Sequence, residues 1–233
     1  MLNISYFNFN AFGENTWLAW NGDAKGFVVD PGYGDARERE AFHKFIAEHG
    51  LTLEGVLLTH GHPDHILGAG DCAEHYGIPV YLSPADTALL PEFIRMGKEM
   101  GMMSDFKEFT PTDITDGQTV CMAGVEWKAV ATPGHTPGGI CYWSEAEQLM
   151  FTGDTIFKGT IGRTDLPGGD YDKLIVSIMD GIMGFDGATN ILPGHGPAST
   201  ISDERTHNPF LEPFNEPEQE GIDWDEDGIE LHG

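Results

Sequence analysis

Basic residues are scarce in this 233-residue chain: 12 Lys and Arg stand against 38 Asp and Glu, a formal net charge of −26. A surface this acidic repels phosphate backbones and anionic headgroups, so neither nucleic acid nor a membrane surface is an expected partner. No run of about 18 apolar residues is present, and no transmembrane helix is expected. The stretch Met1–Asn10 lacks a basic segment followed by an apolar one, so the reading is of no signal peptide and of a cytoplasmic protein. Cysteine is thin as well. Cys72, Cys121 and Cys141 are odd in number, widely spaced and without a CxxC pair, which excludes a disulfide framework and reads as small buried thiols. No short-period repeat marks a solenoid.

What is present suits one sizeable α/β domain, with apolar residues at 40% of the chain. Strands are expected at Leu2–Phe9, Thr16–Trp20 and Gly26–Val29, the last ending in Asp30-Pro31-Gly32. Asp35-x-x-Glu38 has the form of a capping box, and Phe42, Phe45, Ile46 and His49 follow at helical spacing until Gly50. Val56–Thr59 reads as a strand running into His60. A single helix is then expected from Pro63-Asp64 through Ile66, Ala69, Ala73 and Tyr76 to Gly77, with a strand at Pro79–Leu82. The stretch Ala85–Lys107 reads as a packed connecting helix through Leu89, Leu90, Phe93, Ile94 and Met100, with a methionine-rich lid as the alternative. β patterning returns at Thr119–Met122, Val125–Ala131, Ile140–Trp143 and Leu149–Thr152; Asp170 caps a helix, and Asn190–Leu192 is a further strand. Sheets packed face to face with helices outside are expected.

The domain is drawn at 1–211 and an acidic tail at 212–233. Nine of the acids fall between Glu212 and Glu230 with no Lys or Arg, and the tail is expected to be poorly ordered. Without them the chain keeps 29 acids against 12 bases, still −17. Asp223-x-Asp225-x-Asp227-Gly228 opens like a calcium loop, but its twelfth position falls beyond residue 233, so it reads as solvated acid.

Thr59-His60-Gly61-His62-Pro63-Asp64-His65 is the densest chemical signal in the chain. Side chains alternate along an extended loop, so His60 and His62 can face one way while Asp64 and His65 converge from a helix start. Mixed nitrogen and oxygen donors of this kind suit a divalent, borderline-soft ion. Three further segments each carry an apolar strand into a glycine-containing loop with one donor: Val130–His135, Met150–Asp154 and Ile191–His195. They add His135, Asp154 and His195. Five His and two Asp exceed the needs of one four-coordinate ion; two ions about 3.5–4 Å apart can share them and make a bridging water acidic enough to yield hydroxide near neutral pH. His43, His49, His75, His207 and His232 lack this setting and receive no role.

With Thr59–His65, Thr132–Thr136, Phe151–Asp154, Gly162–Asp165 and Pro193–Gly196 in this order, the chain resembles the metallo-β-lactamase superfamily, and within it the short, single-domain glyoxalase II-like hydrolases. The resemblance implies a four-layer αβ/βα sandwich of two mixed sheets with helices outside and metals at one edge. It implies His60, His62 and His135 on one ion, Asp64, His65 and His195 on the other, and Asp154 bridging, with Asp64 also orienting the attacking hydroxide. Two divalent ions are implied, zinc first, with iron and manganese as alternatives.

The implied reaction is hydrolysis of a small-molecule thioester. Arg163 falls where glyoxalase II enzymes have a basic glutathione contact, while Asp165 and Pro197 replace expected tyrosines. His65 stands where the main subclass of true β-lactamases carries Arg, which argues against antibiotic degradation. Gly162-Arg163-Thr164-Asp165 also resembles the persulfide dioxygenases, which hold one iron through two His and an Asp; that is the alternative.

Overall fold

The computed structural model describes residues 2–212, so the acidic tail from 213 onward and its calcium-loop lookalike lie outside the described residues. The chain opens with β1 (Asn3–Phe9), β2 (Glu14–Trp20) and β3 (Lys25–Val29), then α1 (Ala36–Glu48) and β4 (Thr52–Leu57). Two short helices, α2 (Pro63–Ile66) and α3 (Ala69–Tyr76), lead to β5 (Val80–Leu82), α4 (Pro84–Glu99) and β6 (Thr112–Asp113). The second half runs β7 (Thr119–Met122), β8 (Val125–Ala131), β9 (Ile140–Ser144) and β10 (Leu149–Gly153). The small hairpin β11 (Ile156–Phe157) and β12 (Thr160–Ile161) precedes α5 (Tyr171–Gly181), β13 (Asn190–Pro193), β14 (Ser199–Thr200) and α6 (Ile201–His207).

Strands β1 to β6 form one six-stranded sheet in sequence order, and β14-β13-β10-β9-β8-β7 form the other. Both are mixed. β1–β3 are antiparallel while β3–β6 are parallel; β7–β10 are antiparallel, with a parallel β10–β13 pair.

Period-two alternation sorts the apolar residues into three clusters. Trp17, Phe27 and Val29 of the first sheet meet Trp127, Tyr142 and Phe151 of the second between the sheets. Leu18, Val28 and Val56 point the other way, onto Phe42 and Ile46 of α1. Cys141, Met150 and Ile191 pack outward onto Leu174 and Ile178 of α5. Apolar residues on both faces of a strand require cover on both, which gives four layers. The Trp127 and Phe151 rings lie 5.1 Å apart. Each such ring buries on the order of 150–250 Å², about 4–6 kcal/mol before conformational entropy.

Several expectations need correction. The helix expected from Pro63 to Gly77 breaks at Leu67–Gly68, where Gly68 N–H donates to Pro31 C=O and the Tyr33 ring occupies the space of a Cβ. The strand before His60 starts at Thr52 and stops at Leu57, freeing the following residues for the site. Asp35 caps α1 as expected, but the Glu38 carboxylate accepts from the Asn10 and Gly34 N–H groups, tying the β1–β2 turn to the helix. Cys72 and Cys141 are buried thiols, whereas Cys121 is exposed on β7, an edge strand whose alternate residues face out. No helix among the described residues is long and apolar enough to cross a membrane.

Candidate metal centre

The seven predicted donors gather at one edge of the sandwich, on the loops that leave β4, β8, β10 and β13 and on the short helix α2. β4 delivers His60 and His62, with Asp64 and His65 on α2; β8 leads to His135, β10 to Asp154 and β13 to His195. Backbone geometry fixes these approaches. Gly153 has φ +48°, and a side chain there would run into Thr59. Gly134 (φ +141°) lies so close to the Leu174 backbone that α5 can brace the His135 loop, with Ser177 Oγ donating to Pro133 C=O at 2.7 Å. Across the sheets, Trp17 Nε1–H and Asn15 Nδ2–H both donate to Pro193 C=O, at 2.9 and 3.1 Å, holding the His195 turn against β2.

Two groups of three donors have ligand atoms within 4.8 Å of one another: His60, His62 and His135, and Asp64, His65 and His195. Asp154 lies between them, Oδ1 3.4 Å from His65 Nε2 and Oδ2 3.5 and 3.6 Å from Nε2 of His135 and His195. Asp30, His60 and His65 form a third such group, but Asp30 already accepts from Thr59 N–H, Thr59 Oγ–H and His65 Nδ1–H. It acts as a brace.

That bracing sets the tautomers. Thr59 Oγ–H is spent on Asp30 at 2.6 Å, so His60 Nδ1–H donates to Thr59 Oγ at 3.0 Å and leaves Nε2 as a lone pair. His65 donates Nδ1–H to Asp30, and His135 donates Nδ1–H to Arg163 C=O at 2.7 Å, so both present Nε2 to the centre. Histidines orphaned or aimed in this way fit metal ions. His60 Nε2, His62 Nε2 and Asp154 Oδ1 are buried without a hydrogen-bond partner, at about 1–3 kcal/mol each if nothing else satisfies them.

The electrostatics agree. Burial and the surrounding imidazoles push His60 well below the usual histidine range, and burial with His135 brings His62 down to about 3, so both are neutral donors. Burial opposes charge on His65, but Asp154, Asp64 and Asp30 outweigh it and draw His65 well upward. Burial would raise Asp64; His65 and His195 override it and hold this carboxylate below its usual range. The pocket is therefore a well for positive charge: His60 and His62 stay neutral, while the carboxylates of Asp154 and Asp64 favour a cation beside His65 and His195.

Sequence reading missed three buried carboxylates around this shell. Asp30 was legible only as a turn residue. Asp86, on α4, accepts from Gly61 N–H at 2.8 Å, Gly138 N–H at 2.7 Å and Thr136 Oγ–H at 2.8 Å, joining the His60–His62 loop to the His135 loop. Glu14, fully buried and pushed well up by burial, lies behind His195, which it meets in an isolated backbone bridge. No local motif marks any of them.

A cavity of about 600 Å³ opens over the donors, walled by Phe12, Met96, Met100, Phe157 and Leu166. The expected connecting helix is α4, packed through Leu90 and Phe93, and Met96 and Met100 at its far end form cavity wall. Arg163 also lines it, with Nε and Nη2 on the two Asp165 oxygens at 2.7 and 2.8 Å. Pro197 lines the rim.

A four-layer sandwich with a His/Asp cluster at its edge defines a metal-binding hydrolase. The chain belongs to the metallo-beta-lactamase superfamily, whose family model matches residues 10–200. It is 34% identical over 212 residues to the hydroxyacylglutathione hydrolase GloC of Haemophilus influenzae, covering 90% of this chain and 98% of that protein. Among solved structures, the BLEG-1 B3 metallo-beta-lactamase superposes with a TM-score of 0.83 at 31% identity, over 90% of this chain and all of the other. TTHA1623 in a di-iron-bound form gives 0.79 at 29%, over 89% and 100%.

Proposed function

We propose that this protein is a glyoxalase II-like thioesterase, a cytoplasmic enzyme acting on a small-molecule thioester. The observation that carries the reading is the pair of three-donor groups with Asp154 between them; the likeness to GloC along nearly the whole of both chains supports the substrate class. His60, His62 and His135 would hold one ion, Asp64, His65 and His195 a second, and Asp154 would contact both. Zinc suits these donors, and iron or manganese does as well; the di-iron form of TTHA1623 supports iron. Bound there, divalent ions supply Lewis acidity and lower the pKa of water toward neutrality.

The remaining work falls to the chain. Asp64, ionised and 3.3 Å from His195 Nε2, accepts a hydrogen bond from the attacking water and orients it. Phe12, Met96 and Phe157 exclude bulk water around the scissile bond. Arg163 contacts the substrate from the wall, its charge shared with Asp165, and its carbonyl fixes His135. Free thiols at Cys72, Cys121 and Cys141 suit a reducing compartment.

The test is a panel of S-lactoylglutathione, a simple alkyl thioester, a lactone and nitrocefin, run with zinc, iron(II) or manganese(II) restored to stripped protein. Thioester turnover that returns with metal is expected. Turnover confined to the lactone or to nitrocefin removes the thioester reading. One iron per chain with oxygen uptake on glutathione persulfide replaces it with the dioxygenase alternative.

A further inference from the structure

We propose that Lys158 reads a single carboxylate on the substrate, so that the preferred ligand is a thioester with an apolar arm bearing one anionic group. Only the word thioester rests on the preceding reading; the anion and the apolar arm follow from the cavity itself. Two cationic side chains line it, Lys158 and Arg163. Arg163 has Nε and Nη2 occupied by both oxygens of Asp165, a bidentate pair that sets a carboxylate beside its charge. Lys158 has no ion-pair or hydrogen-bond partner among the described residues, and its side chain is free to turn to a ligand.

Its backbone is fixed. Lys158 and Gly159 form the turn of the β11–β12 hairpin, in which Phe157 pairs with Thr160. From behind, buried Glu204 of α6 accepts from Gly159 N–H at 2.8 Å, and buried Asn208 donates Nδ2–H to Thr160 C=O at 3.1 Å and to Glu204 at 2.9 Å. Ser199 Oγ–H completes the clasp on Glu204. Three polar side chains thus hold a two-residue turn whose outward products are the Phe157 ring and the Lys158 ammonium at one cavity wall.

The rest of the molecule sharpens the selectivity. On a chain of net charge −26 an anion is repelled everywhere except where a cation stands uncompensated. The cavity provides one such position beside apolar wall. That matches one carboxylate on an alkyl or aryl arm better than the two carboxylates and ammonium of a tripeptide thiol.

The experiment uses the zinc-loaded full chain and two thioethers that cannot be hydrolysed, 3-(hexylthio)propanoate and its primary amide, with affinities read by calorimetry. The carboxylate should bind about tenfold tighter than the amide, with the advantage fading as salt rises. Lys158→Gln should bring the two within about twofold, Lys158→Arg should keep most of the preference, and Arg163→Gln should reduce it by less than about threefold. Unchanged metal content and melting temperature in Lys158→Gln establish that the fold is intact.

Equal binding of acid and amide by the wild type overturns the proposal, as does a preference that survives Lys158→Gln, which would place the carboxylate on the metals or on Arg163. Since neither probe is turned over, the result stands whether or not thioesters are hydrolysed.

Discussion

Two histidine-rich clusters involve the first half of this fold, one closed within it and one completed by His135 and His195 of the second, and their hydrogen bonding separates them. Around His43 every polar atom is spoken for. Nδ1 meets Tyr76 Oη at 2.6 Å, Nε2 meets Asp71 Oδ2 at 2.7 Å, and Asp71 also accepts from Tyr33 Oη–H and Lys107 Nζ–H, each at 3.0 Å. His75 stacks on His43 with ring centroids 4.4 Å apart. Around His60 the count is open: His62 Nδ1 meets His135 Nε2 at 2.8 Å and His65 Nε2 meets His195 Nε2 at 3.3 Å, but His60 Nε2, His62 Nε2 and Asp154 Oδ1 are buried with no partner. A closed cluster fastens α1 to α3. The other has the donor set of a cation site. Histidine density alone does not distinguish them; the balance of donors and acceptors does.

The contrast is broken most severely at Asp154. Asp154→Ala should remove metal and activity together, with kcat down about 10³-fold or more, because the carboxylate lies between both donor groups. A variant that kept two ions per chain by elemental analysis and ran at full rate would refute that placement. Stripping the metal from wild-type protein should come next in size. Each ion at about 1,000 times its Kd contributes roughly 4 kcal/mol, so the melting temperature should fall by about 8–16 °C per ion lost, and a fall of under a degree would mean the cluster needs no cation.

Asp86→Ala should cost about 2–4 kcal/mol in denaturant titration, because Gly61 and Gly138 N–H groups lose a buried acceptor. It should also weaken metal affinity about 10–100-fold through the two loops it joins. Loss of stability with unaltered metal affinity would reduce Asp86 to packing.

The smallest effect belongs to the closed cluster. Burial holds His43 below the usual histidine range, only partly offset by Asp71. Burial alone would raise Asp71, but hydrogen bonds from Lys107, His43 and Tyr33 prevail and hold it low. Both signs agree. The unfolded chain takes up protons first, so this cluster's contribution is whole above the unfolded His pKa near 6.5 and is lost as pH falls, first through His43 and then through Asp71. His43→Gln should flatten the stability slope between about pH 6.5 and 5 relative to wild type in the same metal state, without altering metal content. A steeper slope in the variant would reverse the assignment.

Much of this was legible in the chain, for a physical reason. The short apolar runs of β2, β3 and β10 are local, as is the His60–His65 motif, so strands and first donors can be read within a few residues. What stayed hidden depends on distance in sequence. Asp30 reaches His65 and Asp86 reaches Gly138, 35 and 52 residues away, and neither leaves a local trace. The break at Gly68 needed the Tyr33 ring, and β11–β12, two residues per strand, is too short for any periodicity. Exposed Cys121 was readable after all, since Thr119 and Cys121 alternate outward against Val120 and Met122.

The donors also divide by sheet: His60, His62, Asp64 and His65 leave the first, and His135, Asp154 and His195 leave the second. His62 and His135 are 73 residues apart in the chain, His65 and His195 130 apart. Occupied by ions, such a centre is a pair of cross-links closing long loops, and in that respect it stands in for the disulfides this chain does not make. Opening the sandwich then requires releasing the ions first. Resistance to unfolding becomes a matter of metal off-rate as much as of the hydrophobic core, and a chelator acts on this fold as a reductant acts on a secreted one.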